Sequence, residues 1–275
     1  MNSGIGTMRM WLFLACIVLA ACGRTPDAAE AAAGTPALAA NPAGDPIEGA
    51  RIARRVGCDG CHDEGGKGGG FDHKTPEGDR VLAPNLTVKR ALYDDAGLAR
   101  LLHEGKTHDG HRPLGMPIYM FQHLSDGEVR DITAWLRALP AVDNPGLGEG
   151  SLTAKTLQSL QDGSHPYAAD LKPDLGNVPP ATRPVEPLAL GKYLAFTTCS
   201  ECHGPDLTGF EGDGAPSLVV AKAYTLEKFA RLMKTGEIAT GGKSKTGFMS
   251  EVAAYRFSVL TDAEVAALKL YLDSR

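Results

Sequence analysis

The chain has 275 residues, 43% of them hydrophobic and 22% charged, with a formal net charge of −5. That mild acidity argues against nucleic acid as a partner, because neutralising a phosphate backbone needs a basic surface. Six cysteines in a chain of this composition make thiol chemistry the first thing to place.

The first ten residues carry one charge, Arg9, and about a dozen apolar residues follow, from Trp11 to Ala21. The run is too short to span a bilayer as a helix, but it fits the apolar region of a secretory signal. Leu19-Ala20-Ala21-Cys22 resembles the bacterial lipobox. That implies cleavage before Cys22 and a diacylglycerol on its thiol; an ordinary signal peptide cut further on is the alternative. Residues 1–21 are therefore expected as a lipoprotein signal peptide, and residues 22–45, rich in Ala, Pro, Gly and Thr, as a flexible tether. A coil of that length reaches roughly 25–30 Å from end to end, enough for an anchored protein to sweep a membrane surface. Loss of Arg9 leaves 27 basic against 33 acidic residues, a net charge of −6. Nothing after Ala21 is long and apolar enough for a membrane span.

Cys58-Asp59-Gly60-Cys61-His62 and Cys199-Ser200-Glu201-Cys202-His203 are two copies of C-x-x-C-H, the spacing that attaches a c-type haem. Two thiols add across the vinyl groups of one porphyrin, and the adjacent histidine is held under the ring facing the iron. With Cys22 lipidated, these four thiols leave none for a disulfide, and haem attachment accounts for all of them. A zinc ribbon would bring its knuckles closer in sequence than the 137 residues between Cys61 and Cys199. A thioredoxin-like pair would follow a strand, and no strand pattern precedes either motif. Neither alternative explains a histidine after both pairs.

The chain reads as an internal duplication, with copies at 46–140 and 187–275 and an interdomain linker at 141–186. Each copy opens with a short segment containing a glycine, Gly49 or Gly191, before its motif. A proline loop follows, Ala83-Pro84-Asn85-Leu86 in one and Ala215-Pro216-Ser217-Leu218 in the other. Amphipathic helical stretches then end at Gly105 and Gly236. Each copy closes on a helix announced by an S/T-x-x-E capping box, Ser125 to Glu128 and Thr261 to Glu264. Behind them Val129, Ile132, Leu136 and Leu139, and then Val265, Leu268 and Leu272, form core-facing stripes. The linker is rich in Pro and Gly, with one short helix expected near Ser151 to Gln161. A copy of roughly 90 residues is small for a core of its own, and a haem would supply an apolar plate to pack against.

On these residues each half resembles a class I cytochrome c domain: N-terminal helix, C-x-x-C-H, proline loop, helix, methionine loop, C-terminal helix. The whole is similar to dihaem cytochromes c of bacterial respiratory chains. The resemblance implies a mainly α fold of two tandem class I domains, each a small helical bundle around one covalent haem c. It implies thioether bonds to Cys58, Cys61, Cys199 and Cys202, with His62 and His203 as iron ligands. The proline-loop carbonyls of Pro84 and Pro216 would then accept the hydrogen bond that orients each histidine. Pro216 lies 13 residues after His203, near the family spacing, but Pro84 lies 22 after His62. The extra residues include a Gly-rich stretch, 64–70, and a polar one, 71–80, expected as a surface loop or as a segment that shapes docking. For the sixth ligand, Met116 and Met249 lie in the methionine loops. Met120 and the histidines His103, His108 and His111 compete in the first copy and Met233 in the second. Trp135 and Tyr271 would pack against the N-terminal helices near their glycines. Arg112 and Arg256 are expected to be exposed, or else to pair with propionates.

The function implied is one-electron transfer by a lipid-anchored carrier on the periplasmic side of a bacterial membrane, with two haem c groups and no catalytic residue. Its donor would be a periplasmic dehydrogenase or quinol-oxidising complex. Its acceptor would be a terminal oxidase, a reductase or another cytochrome, with no small-molecule substrate and no nucleic acid. A dihaem enzyme, either a peroxidase or a sulfur-compound oxidoreductase, is the alternative.

Overall fold

The first helix, α1 (Pro46–Val56), starts where Asp45 accepts hydrogen bonds from the backbone of Ile47 and Glu48, with proline in its first turn. The computed structural model describes residues 43–162, 164–165, 179–210 and 215–275. The signal peptide, Cys22 and nearly all of the tether lie outside the described residues. α1 runs across α6 (Asp126–Ala138), and the crossing is closest at Gly49. A Cβ there would lie 1.9 Å from the Asp131 carbonyl oxygen and 2.8 Å from the Trp135 Cβ. The second half repeats this contact between α8 (Pro187–Leu194) and α12 (Asp262–Ser274). A Cβ on Gly191 would lie 1.9 Å from the Ala267 carbonyl oxygen and 2.8 Å from the Tyr271 Cβ. Trp135 and Tyr271 thus sit beside the glycines as expected.

Between these pairs the halves follow one plan. Short helices carry the cysteine motifs: α2 (Cys58–Cys61) and α9 (Ser200–His203). After α3 (Leu86–Lys89) come α4 (Asp95–Glu104) in the first half and α10 (Leu226–Thr235) in the second, ending at Gly105 and Gly236. α5 (Ile118–Phe121) follows Met116, whereas α11 (Phe248–Arg256) takes Met249, expected in a loop, into its first turn. Each half has its own apolar cluster. One gathers Ile52, Leu102, Phe121 and Ile132, the other Leu194, Leu232, Phe257 and Leu268. Leu139 ends the first stripe one residue past the helix, as its C-cap.

Three features depart from expectation. The extra chain after the first motif is a β-hairpin, with β1 (Asp72–Lys74) antiparallel to β2 (Arg80–Leu82) and Asp72 opposite Leu82. The part of the linker before α7 (Ala154–Asp162) folds back on this hairpin. Arg80 and Ser151 exchange backbone hydrogen bonds of 2.7 and 3.0 Å. Buried Asp79 accepts from the Thr153 N–H at 2.6 Å and from the Thr156 hydroxyl at 2.7 Å, at the start of α7. Finally, α8 passes into the motif through a π-helical turn, Ala195–Cys199, where the first half breaks at Gly57.

The capping boxes also diverge. Thr261 and Glu264 form a complete one. In the first half Ser125 accepts from the Glu128 N–H at 3.1 Å, but the Glu128 carboxylate is engaged elsewhere. It takes two hydrogen bonds from the fully buried Arg55, at 3.1 and 2.8 Å, and one from the Tyr193 hydroxyl. The Ser125 N–H donates to Tyr193 instead, at 2.8 Å. Glu264, the counterpart of Glu128, is held by Arg51 at 2.8 Å and by Arg183. The two closing-helix carboxylates are thereby drawn into contacts between the copies.

Candidate haem-attachment sites

In the first motif the His62 imidazole places Nδ1 2.9 Å from the Pro84 carbonyl oxygen. In the second, His203 places Nδ1 2.7 Å from the carbonyl oxygen of Pro216. A carbonyl can only accept, so the Nδ1–H tautomer is selected and Nε2 is left with its lone pair for a metal. Desolvation pushes both imidazoles below the ordinary histidine range, and the proline carbonyl hydrogen bond opposes this only in part. Both rings are therefore held neutral, as a metal ligand requires.

The equal geometry despite unequal spacing has a local cause. The Gly68 N–H donates to the His62 carbonyl oxygen at 2.7 Å, and the Gly209 N–H donates to that of His203 at 2.8 Å. Both glycines have positive φ, +83° and +91°, and a Cβ on either would strike the proline-loop backbone, 2.6 Å from Asn85 N or 2.5 Å from the Ala215 carbonyl oxygen. Each lies six residues past its histidine, so residues 64–68 belong to the shared pattern. The insertion starts only after Gly68. It leaves and returns through the hairpin, closed by Phe71 N–H to the Cys61 carbonyl oxygen at 2.9 Å and Ala83 N–H to that of Phe71 at 2.8 Å. It is not a bare surface loop, because Phe71, Val81 and Leu82 help to line the first site.

That site is a cavity of about 320 Å³ bounded by Cys58, Cys61, His62, Pro84 and Met116. Leu98, Leu102, Trp135 and Leu136 supply apolar walls. Two thiols, an imidazole with Nδ1 already engaged, a thioether and an apolar slot are the donor set and shape that haem c needs. Met120 is fully buried in the apolar cluster on α5 and does not line the cavity. His103 places Nε2 3.0 Å from the Leu124 carbonyl oxygen, His108 packs edge-on against Tyr93, and His111 is exposed. In the second half Met249 opens α11, half-buried against the same cluster as Cys199, while Met233 is a core residue of α10.

Desolvation pushes the Cys58 and Cys199 thiols up to about 12, the neighbouring Asp59 and Cys202 adding to it respectively. A redox-active pair needs an accessible thiolate, so this environment does not suit one. Among the described residues, no three or more His, Cys, Asp and Glu side chains assemble into a metal site. Among the described residues, no helix is long and apolar enough to cross a membrane.

The motifs face residues of the opposite copy, which the sequence did not disclose. The Tyr119 hydroxyl donates to the Glu201 carbonyl oxygen at 2.9 Å, and the Tyr255 hydroxyl to the Asp59 carboxylate at 3.2 Å. Arg256, expected to be exposed or on a propionate, is buried and donates to the Glu201 carboxylate at 2.6 Å. Tyr119 and Tyr255 each stand six residues before the cap of a closing helix, a shared register that could have singled them out.

A family model described as Cytochrome c matches residues 46–140 and again 188–275. Comparison with curated proteins gives no significant match. The chain therefore belongs to the cytochrome c family, as two tandem, mainly helical electron-transfer domains, each with a cysteine pair of the kind that binds haem c covalently.

Proposed function

We propose that this protein is a lipid-anchored dihaem electron carrier. His62 and Met116 would ligate one iron and His203 and Met249 the other, with thioether bonds to Cys58, Cys61, Cys199 and Cys202. The observation that carries this reading is the repeated station of both histidines, each with Nδ1 on a proline carbonyl, at 2.9 and 2.7 Å. When bound, the haem iron would supply a one-electron ferric/ferrous couple, and ligation by a methionine thioether besides the histidine would raise its potential. The chain's residues do the rest. Pro84 and Pro216 hold the imidazoles in one tautomer, and Leu98, Leu102 and Trp135 give the first cavity apolar walls. An apolar site favours the less charged ferrous form.

The lipobox at Cys22 supports an anchor on the periplasmic side of a bacterial membrane, inner or outer. Electrons would come from a periplasmic dehydrogenase or a quinol-oxidising complex and leave to a terminal oxidase, a reductase or another cytochrome. Haem quantitation and redox titration of the purified protein test the reading. The expected result is two covalent haems per chain, two reversible one-electron waves and no turnover of hydrogen peroxide. Loss of one haem is expected in Cys199→Ala/Cys202→Ala. Peroxide consumption at an enzymatic rate, or haem released by acid solvent, would overturn it.

A further inference from the structure

Glu201 lies inside the second motif, between Cys199 and His203, yet it is among the residues that line the first cavity, together with Cys58, Cys61 and His62. Its carboxylate is paired with Arg256 Nη1 at 2.6 Å. Arg256 is 8% exposed, and its Nε donates to the Arg55 carbonyl oxygen at 3.2 Å. Its guanidinium lies over Gly57, the residue before Cys58, where an added Cβ would come within 2.6 Å of Cζ. The Arg256 Nη2 is buried without a hydrogen-bond partner. Five residues before the closing-helix cap, where the second copy has Arg256, the first has Met120, fully buried among apolar side chains. The duplication thus carries a cation at one station and a neutral side chain at the other.

A buried unpaired polar group costs free energy, so an arginine retained here without full satisfaction points to a use for its charge. Charges in a desolvated site act on one another far more strongly than in water. A carboxylate beside an iron centre favours the ferric form, which carries one more positive charge, and a guanidinium favours the ferrous form. We propose that Glu201 and Arg256 of the second domain form a charge clamp that sets the reduction potential of the haem held by the first. The proposal rests on the reading that Cys58, Cys61 and His62 hold that haem. Arg256 acts as a positioning residue, through its field and its hold on Glu201.

Redox titration of the full-length holoprotein, followed optically, tests this with Glu201→Gln, Arg256→Met and the double variant. The first centre is the wave missing from Cys58→Ala/Cys61→Ala or displaced in Met116→Ala. Glu201→Gln removes an anion and leaves the cation, so it should raise that potential. Arg256→Met, which installs the residue found at the matching station, should lower it. Each shift should reach about tenfold in the ferric-to-ferrous ratio, or about 59 mV for a one-electron couple. The double variant should return near the starting value, because the opposite shifts cancel when anion and cation are removed together. Shifts of the same sign, or none, in proteins carrying both covalent haems would overturn the clamp. A wild-type chain without covalent haem would instead overturn the haem assignment beneath it. A purely packing role would not give opposite signs.

Discussion

Met116 lines the first cavity, and Met249 stands in the first turn of α11 in the second half. Met116→Ala and Met249→Ala should each convert one centre, and only one, from a low-spin to a high-spin or solvent-ligated ferric spectrum. Met120→Ala should leave both spectra intact while costing about 2–5 kcal/mol of stability, as a buried side chain cut to a methyl does. Spectra of the three variants separate a ligand from a core residue. Much of this site was legible in the chain, because C-x-x-C-H, the proline loops and the methionine loops are local patterns with fixed chemistry. The histidine-to-proline pairing survived a change of spacing from 13 to 22 residues, since the insertion begins after Gly68 and closes on itself, with Phe71 N–H on the Cys61 carbonyl oxygen and Ala83 N–H on that of Phe71. Glu201 and Arg256 were not legible. They lie 55 residues apart in the second copy, and their pair is set against Arg55 and Gly57 of the first only in the folded molecule.

The helix crossings α1 on α6 and α8 on α12 rest on one glycine each. Gly49→Ala and Gly191→Ala drive a methyl to 1.9 Å from a backbone oxygen that belongs to a packed helix. Each should destabilise its half by about 1–3 kcal/mol, the usual cost of overpacking. Chemical denaturation of the holoprotein would show it, while Gly60→Ala, with open space around its Cβ position, should do little by comparison. The helices were foreseeable from caps, terminal glycines and apolar stripes. The hairpin was not, because Asp72-His73-Lys74 is exposed throughout and has no apolar alternation. Its register is set from outside, by Asp79 on Thr153 and Thr156 and by the Arg80–Ser151 pairing. The half-kept capping box has the same kind of cause. Arg55 and Tyr193 from elsewhere in the fold compete for Glu128 and prevail, since a buried guanidinium must be paired.

Across the whole molecule, the copies are bound by charges that acid should dismantle. Burial alone would raise the Glu264 carboxyl, but hydrogen bonds and charge from Arg51, the Thr261 N–H and the Arg183 charge outweigh it and hold it at about 2. A carboxylate depressed in the fold stabilises it fully above the unfolded carboxylate range. That contribution, on the order of 3 kcal/mol, is lost as the pH falls from about 4.5 towards 2. Stability measured through that window should therefore fall less steeply in Glu264→Gln than in the wild type, and an unchanged slope would count against the pairing. Cys22→Ser should release the protein from membranes into the soluble periplasmic fraction with its haems intact. Retention on the membrane would remove the lipid anchor from the account. The central claim, two closed His/Met centres that pass electrons and bind no substrate, is tested most directly by the electron paramagnetic resonance spectrum of the purified ferric protein. Two low-spin signals of equal weight, unchanged by added peroxide, are predicted. A high-spin signal at either centre, or one that peroxide transforms, would contradict it.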